Sequence, residues 1–301
     1  MTWLEAIKKS ICYIEEHLTD DITVDDVARE VYISSLHFQK GFAILCDMTV
    51  AEYIRNRRLS LAGRDLRVEG CKVIDVAMKY GYDSPDSFTK AFTRFHGISP
   101  VQAKKGEGEL KNFLPLKLQV SMKGGFEMEC KIIKKPAFTV IGAAKIFGGN
   151  EGFTEIPKMW DEHYAKGEGK YICGMYGVCI DDVSNSIEME SFVKNQQKKE
   201  TLTSFKYLIA DDYVPSKEYP DRFVTQEIPA NTWAVFPCRG PMPSAMQDVY
   251  QKIFKEWLPE NPDYELSGAY NIEYYTDASK LPKGNQDENY YSEIWYPVKA
   301  K

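Results

Sequence analysis

Residues 73–100 read "VIDVAMKYGYDSPDSFTKAFTRFHGISP". Phe88, Phe92 and Phe95 recur at helical spacing, which predicts an amphipathic helix with one apolar stripe. Asp83 or Ser84 suits its N-cap and Pro85 its first turn. A shorter helix over 72–80 precedes it, and Gly81 sits in the tight turn between them, where a positive φ is available. Two helices joined by such a turn form a helix-turn-helix unit. At ~100° per residue, Asp86, Lys90 and Thr93 fall opposite the phenylalanines, flanked by Ser87 and Arg94. A free side carrying Lys, Ser, Thr and Arg suits bonding to bases and phosphates.

The same pattern occurs once before, in "VDDVAREVYISSLHFQKGFAILCDMTV" over 24–50. Val24, Val27, Ala28 and Val31 correspond to Val73, Val76, Ala77 and Tyr80. Phe38, Lys40, Phe42, Leu45 and Thr49 correspond to Phe88, Lys90, Phe92, Phe95 and Ser99, with one residue added in the turn. The first copy therefore predicts helices over 23–31 and from Ser35. Leu36, Lys40 and Ala43 are expected to face out, flanked by His37, Gln39 and Ile44. Between the copies, "TVAEYIRNRRLSLAGRDL" (49–66) reads as one long helix with a basic side. It would hold the two units at fixed separation, and successive major-groove windows lie about 34 Å apart. A single chain could then grip one face of a duplex.

A chain of 301 residues suggests two domains. Residues 1–106 hold equal numbers of acids and bases, so the net charge of −6 belongs to the rest. No apolar run reaches the ~18–20 residues of a membrane span. The start, "MTWLEAIKKSICYIEEHL", lacks the apolar stretch of a signal peptide, so a cytoplasmic location is the default. Seven cysteines without a Cys-x-x-Cys pair, and four scattered histidines, indicate neither a disulfide framework nor a metal site. No cofactor is expected.

The second copy, extended to "VIDVAMKYGYDSPDSFTKAFTRFHGISPVQAKK", resembles the signature of the AraC/XylS family of transcription regulators, with coverage over residues 3–105. The resemblance implies an all-α domain over 1–106 with two helix-turn-helix units, whose second helices enter adjacent major grooves of promoter DNA. It carries base or phosphate contacts onto Gln39, Lys40, Ser87, Thr89, Lys90 and Arg94. Leu36, His37 and Asp86 share those outward faces. Leu36 offers only an apolar contact, and Asp86 either accepts from a cytosine N4 amino group or complements its own helix N-terminus.

Residues 107–125 suit a linker and the start of a hairpin, with Leu116, Leu118, Val120 and Met122 alternating before Gly124-Gly125. From 126 to 301 the pattern becomes α+β. Strands are predicted over 126–134, 138–147, 171–181, 203–213, 222–229, 232–238, 267–277 and 289–297, with helices over 154–166 and 243–257. "CKIIKKPAFTVIGAA" followed by "EIPKMWDEHY" parallels "TQEIPANTWAVFPCR" followed by "SAMQDVYQKIFKEW". Each half reads strand, Pro turn, strand, helix, which predicts a pseudo-two-fold domain with a groove between its halves. Two acids lie inside strand patterns. Alternation puts Glu273 beside Tyr275 and Glu293 beside Trp295. A carboxylate among aromatic faces suits a lipophilic cation, and Trp160, Tyr176 and Trp233 are further candidates to line such a site. The plainer alternative is a pair of solvent-facing glutamates on an edge strand.

Residues 126–298 resemble the GyrI-like effector-binding domains, chiefly through "EIPANTWAVFPCRGPMPSAMQDVYQKIFKEWLPENPDYELSG" and "SEIWYPV". That implies a groove for small lipophilic, often cationic molecules, with a glutamate and aromatics at its centre. Either Glu273 or Glu293 would be that glutamate. The expected whole is a ligand-responsive regulator, with promoter DNA, a small lipophilic molecule and RNA polymerase as its partners and no membrane. Two alternatives compete with it. One is a hydrolase using a glutamate and a tyrosine, although no nucleophile–His–acid set supports it. The other is a protein-interaction module.

Overall fold

The computed structural model describes residues 1–68, 71–117, 128–148, 152–181 and 204–301. Contacts divide the chain into two compact units. One gathers Trp3–Tyr32 and Cys46–Lys123, the other Ile33–Leu45 and Gly124–Lys301. The division falls within the expected linker over 107–125, and one helix of the first third groups with the second unit.

The first unit contains α1 (Trp3–Glu16), α2 (Val24–Glu30), α4 (Val50–Leu66), α5 (Val73–Lys79), α6 (Pro85–His96) and α7 (Pro100–Lys104). Its helix starts are set by local chemistry. Thr49 with Glu52, and Ser99 with Gln102, form capping boxes at equivalent points of the two sequence copies. Ser84 caps α6, Pro85 takes the first helical position, and Gly97 ends the helix at φ 82°.

Helix α4 is the spine of this unit. Leu59, Ala62 and Leu66 pack with Val76, Ala77, Tyr80, Phe88, Phe92 and Ala103 in one core. Phe88 and Phe92 are fully buried, each contributing roughly 1.5–3 kcal/mol by removal from water. Gly63 permits the close crossing of α6, because a Cβ there would lie 2.9 Å from the His96 ring.

The predicted basic side of the 49–66 helix holds at Arg55 and Arg64, which are exposed, and is corrected at Arg57. Arg57 is buried, its Nε and Nη2 each donating at 2.8 Å to the Glu15 carboxylate, and its Nη1 donating to the Phe113 carbonyl. Arg58 donates to the Leu18 and Asp20 carbonyls, Arg64 to Asn112 and Arg67 to the Gly108 carbonyl. These guanidiniums stitch neighbouring segments together.

The stretch expected as a linker is also tied down. Phe113 N–H donates to Ser60, Leu116 N–H to the Tyr53 hydroxyl, and Lys111 N–H to His96 Nδ1. Because Nδ1 accepts, His96 Nε2 carries the proton and donates to the Leu59 carbonyl at 2.9 Å. Most of the expected hairpin, from Leu118 to Phe126, lies outside the described residues.

The second unit contains α3 (Ser35–Cys46) and nine strands among its described residues. These are β1 (Lys131–Lys135), β2 (Phe138–Gly148), β3 (Tyr176–Ile180), β4 (Ser204–Asp212), β5 (Val224–Ile228), β6 (Asn231–Arg239), β7 (Tyr264–Leu266), β8 (Tyr270–Tyr275) and β9 (Tyr291–Ala300). Helix α8 spans Gly152–Ala165. Helix α9 (Ser244–Lys252) runs on into a π turn over Ile253–Trp257. Strand β7 is an addition to the predicted set, and residues 171–175 precede β3 without joining it.

The sheet order is β1-β6-β9-β8-β3-β4-β2-β5, with β7 paired to β9, and its described pairings are antiparallel. Exchanging β1 with β5, β2 with β6, β3 with β8 and β4 with β9 reverses the order onto itself. The duplicated strand-Pro-strand-helix motif thus becomes a pseudo-two-fold sheet whose centre is the β3–β8 pair. One face buries Val140, Tyr176, Val178, Trp233, Ile272 and Trp295. The other packs Ile141, Phe147, Tyr207 and Ile209 against Met159 and Trp160 of α8. No helix among the described residues is long and apolar enough to cross a membrane.

Candidate nucleic-acid interface and candidate ligand site

The outward side of α6 matches its expectation. Asp86, Ser87, Thr89, Lys90, Thr93 and Arg94 are all exposed, while Phe88, Phe92 and His96 are buried. The capped start orients these side chains. The Ser84 hydroxyl accepts the Ser87 N–H at 3.2 Å, and the Ser87 hydroxyl turns back to the Ser84 carbonyl.

The carboxylate site is centred on Glu273 in β8, an interior strand flanked by β3 and β9. This excludes the edge-strand alternative. Tyr250 on α9 donates its hydroxyl to Glu273 Oε1 at 2.7 Å, and Tyr275 donates to Oε2 at 2.9 Å. Tyr207 on β4 lies 3.3 Å from Oε2 and itself accepts the Trp160 indole N–H at 2.9 Å. Burial and the Glu273 charge hold all three phenols well above their ordinary pKa, so they remain donors. Gly177 stands opposite Glu273 in the β3 register. Trp160 and Tyr275 meet edge to face with centroids 5.3 Å apart.

Glu293 lies elsewhere. In register, Tyr274 pairs with Glu293 and Ile272 with Trp295, while Glu273 pairs with Ile294. Glu293 and Trp295 therefore share the face of Tyr274, opposite to Glu273. Glu293 accepts at 2.6 Å from both Tyr291 and the Trp295 indole, its strand neighbours two residues away. Trp233, Tyr176 and Trp295 form an aromatic cluster on that second face. Of the seven predicted ligand residues, the structure unites Glu273, Tyr275 and Trp160, and sets Glu293, Trp295, Trp233 and Tyr176 apart. Strand alternation predicted each pairing along the chain, but it contains no term for which face the helices cover. Tyr250, Tyr207 and Asn271 were missed. Tyr250 reads in sequence as one apolar position of an amphipathic helix.

The expected free side of the first second-helix is corrected. Within its unit, α3 lays Leu36, His37 and Lys40 on the sheet. Leu36 N–H donates to the Asp181 carboxylate at 2.8 Å, and the Leu36 side chain joins the cluster around Phe205 and Tyr207. His37 is buried, with Nε2 at 3.0 Å from the Tyr270 carbonyl and its ring 5.0 Å from Tyr296. Its pKa falls to about 4, from burial first, with the Lys40 charge adding to it. Lys40 Nζ sits 3.2 Å from the centre of the Tyr250 ring and donates to Asn271 Oδ1 at 3.2 Å. A desolvated cation–π contact of this kind contributes about 2 kcal/mol. Burial lowers the Lys40 pKa, and the Glu273 charge opposes that shift. Gln39 is half-buried. The physical reason is complementarity: the polar side of α3 meets carboxylates, carbonyls and aromatic faces.

Comparison with known proteins agrees with both halves. A family model described as an integron-associated effector binding protein matches residues 131–298, more than half of the chain, and a helix-turn-helix domain model matches 27–106. The transcriptional activator AarP of Providencia stuartii is 34% identical over 115 residues, spanning 38% of this chain and 85% of AarP. The regulatory protein SoxS of Escherichia coli K12 is 34% identical over 100 residues, 33% of this chain and 94% of SoxS. A structure of SAV2435 bound to tetraphenylphosphonium covers 57% of this chain and 94% of its own, at 18% identity and a TM-score of 0.44. The chain belongs to the AraC-type helix-turn-helix regulators, and joins to that module a domain of the integron-associated, GyrI-like effector-binding family.

Proposed function

We propose that this protein regulates transcription by binding promoter DNA through its helix-turn-helix units, and that a small lipophilic cation taken up at Glu273 controls it. The observation that carries the ligand reading is the Glu273 carboxylate on an interior strand, ringed by Tyr250, Tyr275, Tyr207 and Trp160. A carboxylate supplies Coulomb attraction, the aromatic faces supply cation–π contact, and neither demands a particular hydrogen-bonding shape from the guest. The exposed Ser87, Thr89, Lys90 and Arg94 of α6 support the DNA reading.

The site reads as a receptor rather than a catalyst. Three hydroxyls hold the Glu273 lone pairs, and those phenols are pushed away from ionisation, which suits a fixed electrostatic host better than a general base. We place the protein in the cytoplasm, where its DNA lies, with RNA polymerase as the partner of an activator.

The test is calorimetric titration of the full chain with tetraphenylphosphonium, with Glu273→Gln and Glu293→Gln as variants. Glu273→Gln should lower affinity by at least about tenfold, the equivalent of one lost charge contact of roughly 1.4 kcal/mol. Glu293→Gln should bind as the parent does. Equal binding by the parent and Glu273→Gln would remove Glu273 from the site. Footprinting on DNA upstream of the gene, with and without the cation, tests the regulatory half.

A further inference from the structure

The inference that follows rests on the reading of Glu273 as a cation site, and concerns how that site communicates with DNA. We propose that Lys40 is a tethered stand-in for the effector: from the outward face of α3 it fills the cation site with its own ammonium, so that a bound cation and the docked helix exclude one another.

Three observations converge. First, the Lys40 ammonium takes one of the aromatic faces that a cationic guest at Glu273 would use. It lies over the Tyr250 ring at 3.2 Å, and Tyr250 is the phenol that donates to Glu273 at 2.7 Å. Asn271 Oδ1 accepts from Lys40 at 3.2 Å and lies 3.0 Å from the Tyr250 hydroxyl oxygen. Second, the docking is built along the helix rather than at one lysine. The Asp181 carboxylate takes the Leu36 N–H at the start of α3, and His37 reaches the Tyr270 carbonyl one residue before Asn271. Third, Lys40 is the counterpart of Lys90 in the duplicated unit, and Lys90 is exposed. The side of α3 equivalent to the free side of α6 is thus the side that the sheet holds.

The consequence is a linked equilibrium. Duplex DNA requires the outward side of α3 free, and a cation at Glu273 requires Lys40 gone. Each ligand therefore favours the released state, and by reciprocity each tightens the other. A cation acts here as an inducer of DNA engagement, by competition with an internal lysine. The fraction of chains with Lys40 docked also sets how far the apparent cation affinity falls below the intrinsic one.

The experiment uses the full chain with tetraphenylphosphonium as the probe. Lysines are acetylated with a water-soluble succinimidyl ester, and Lys40 and Lys90 are compared by mass spectrometry. In the free protein Lys40 should react more slowly than Lys90, and saturating cation should bring its rate up at least about fivefold while Lys90 stays unchanged. In parallel, Lys40→Ala should bind the cation about fivefold or more tightly than the parent. A parent that binds the cation in a Glu273-dependent way, with unchanged Lys40 labelling and no gain in Lys40→Ala, overturns the inference and leaves the cation site standing. Binding that Glu273→Gln does not weaken, or no binding by either the parent or Lys40→Ala, overturns the site and the inference together. Binding by Lys40→Ala alone supports the inference. If Lys40→Ala does not fold, the labelling of the parent still decides.

Discussion

Gly177 and Glu273 are register partners across the central β3–β8 ladder, and a Cβ on Gly177 would fall 2.9 Å from Glu273 Oε2 and 2.3 Å from the Tyr207 hydroxyl. The absence of a side chain at Gly177 is what lets β4 deliver Tyr207 to a carboxylate on β8. Gly177→Ala is expected to displace Tyr207 and cost about 1–3 kcal/mol of stability, as overpacking does. Urea denaturation measures that cost. Cation titration of the folded variant should show weakened binding.

The Arg57–Glu15 pair ties α4 to α1, with Tyr53 donating to the same carboxylate at 2.7 Å. Removing one partner leaves the other charge with little water around it. Glu15→Gln should therefore destabilise the first unit by about 3 kcal/mol, within the range for broken buried pairs. The double variant Glu15→Gln with Arg57→Met should recover part of that loss, because no unpaired charge remains. Thermal and urea unfolding of all three proteins check the cycle.

Lys90 is exposed on α6 and tests the phosphate-contact reading directly. Lys90→Ala should weaken duplex binding across sequences, and reduce the slope of log affinity against log salt by about one. Thr89→Ala, if Thr89 reads a base, should instead relax preference at one position with the salt slope unchanged. Fluorescence anisotropy at several salt concentrations separates the two outcomes.

His96 supplies a pH dependence with a defined direction. Burial lowers its pKa from the ordinary value near 6.5, and its Nδ1 accepts the Lys111 N–H while Nε2 donates to Leu59. The folded state therefore holds fewer protons than the unfolded chain in the window below ~6.5. The stabilisation is complete above that pH and is lost as pH falls toward the depressed folded value. Denaturation at pH 7.5 and pH 5 should show this loss in the parent, and a smaller pH effect in His96→Gln.

Much of the fold was legible because it follows from short-range rules. The phenylalanine stripe and the Ser84-Pro85 start act over a single helical turn, so the chain announces them locally. The second duplication was legible for the same reason: a strand-Pro-strand-helix pattern copied twice folds into two halves that pair symmetrically. The exposed side of α6 followed from periodicity alone.

What stayed hidden depends on residues far apart in the chain. Period-two alternation paired Glu273 with Tyr275 and Glu293 with Trp295, but the two glutamates differ only in which side of the sheet α8 and α9 cover. Arg57 looked like part of a basic surface because Glu15 and the Phe113 carbonyl, which take it, lie dozens of residues away. The fate of α3 was the least legible of all. Its sequence matches α6, and periodicity gives both helices the same outward side. Lys40, however, meets Asn271 and Tyr250 more than 200 residues later. The sequence by itself determined the helices, their caps, the two duplications and the residue types that take up a cation or a phosphate, because each is encoded within a few residues. Only the tertiary structure decided that Glu273 rather than Glu293 gathers the tyrosines, and that α3 rests on the sheet. Those outcomes turn on contacts between distant segments, which no local period or propensity records.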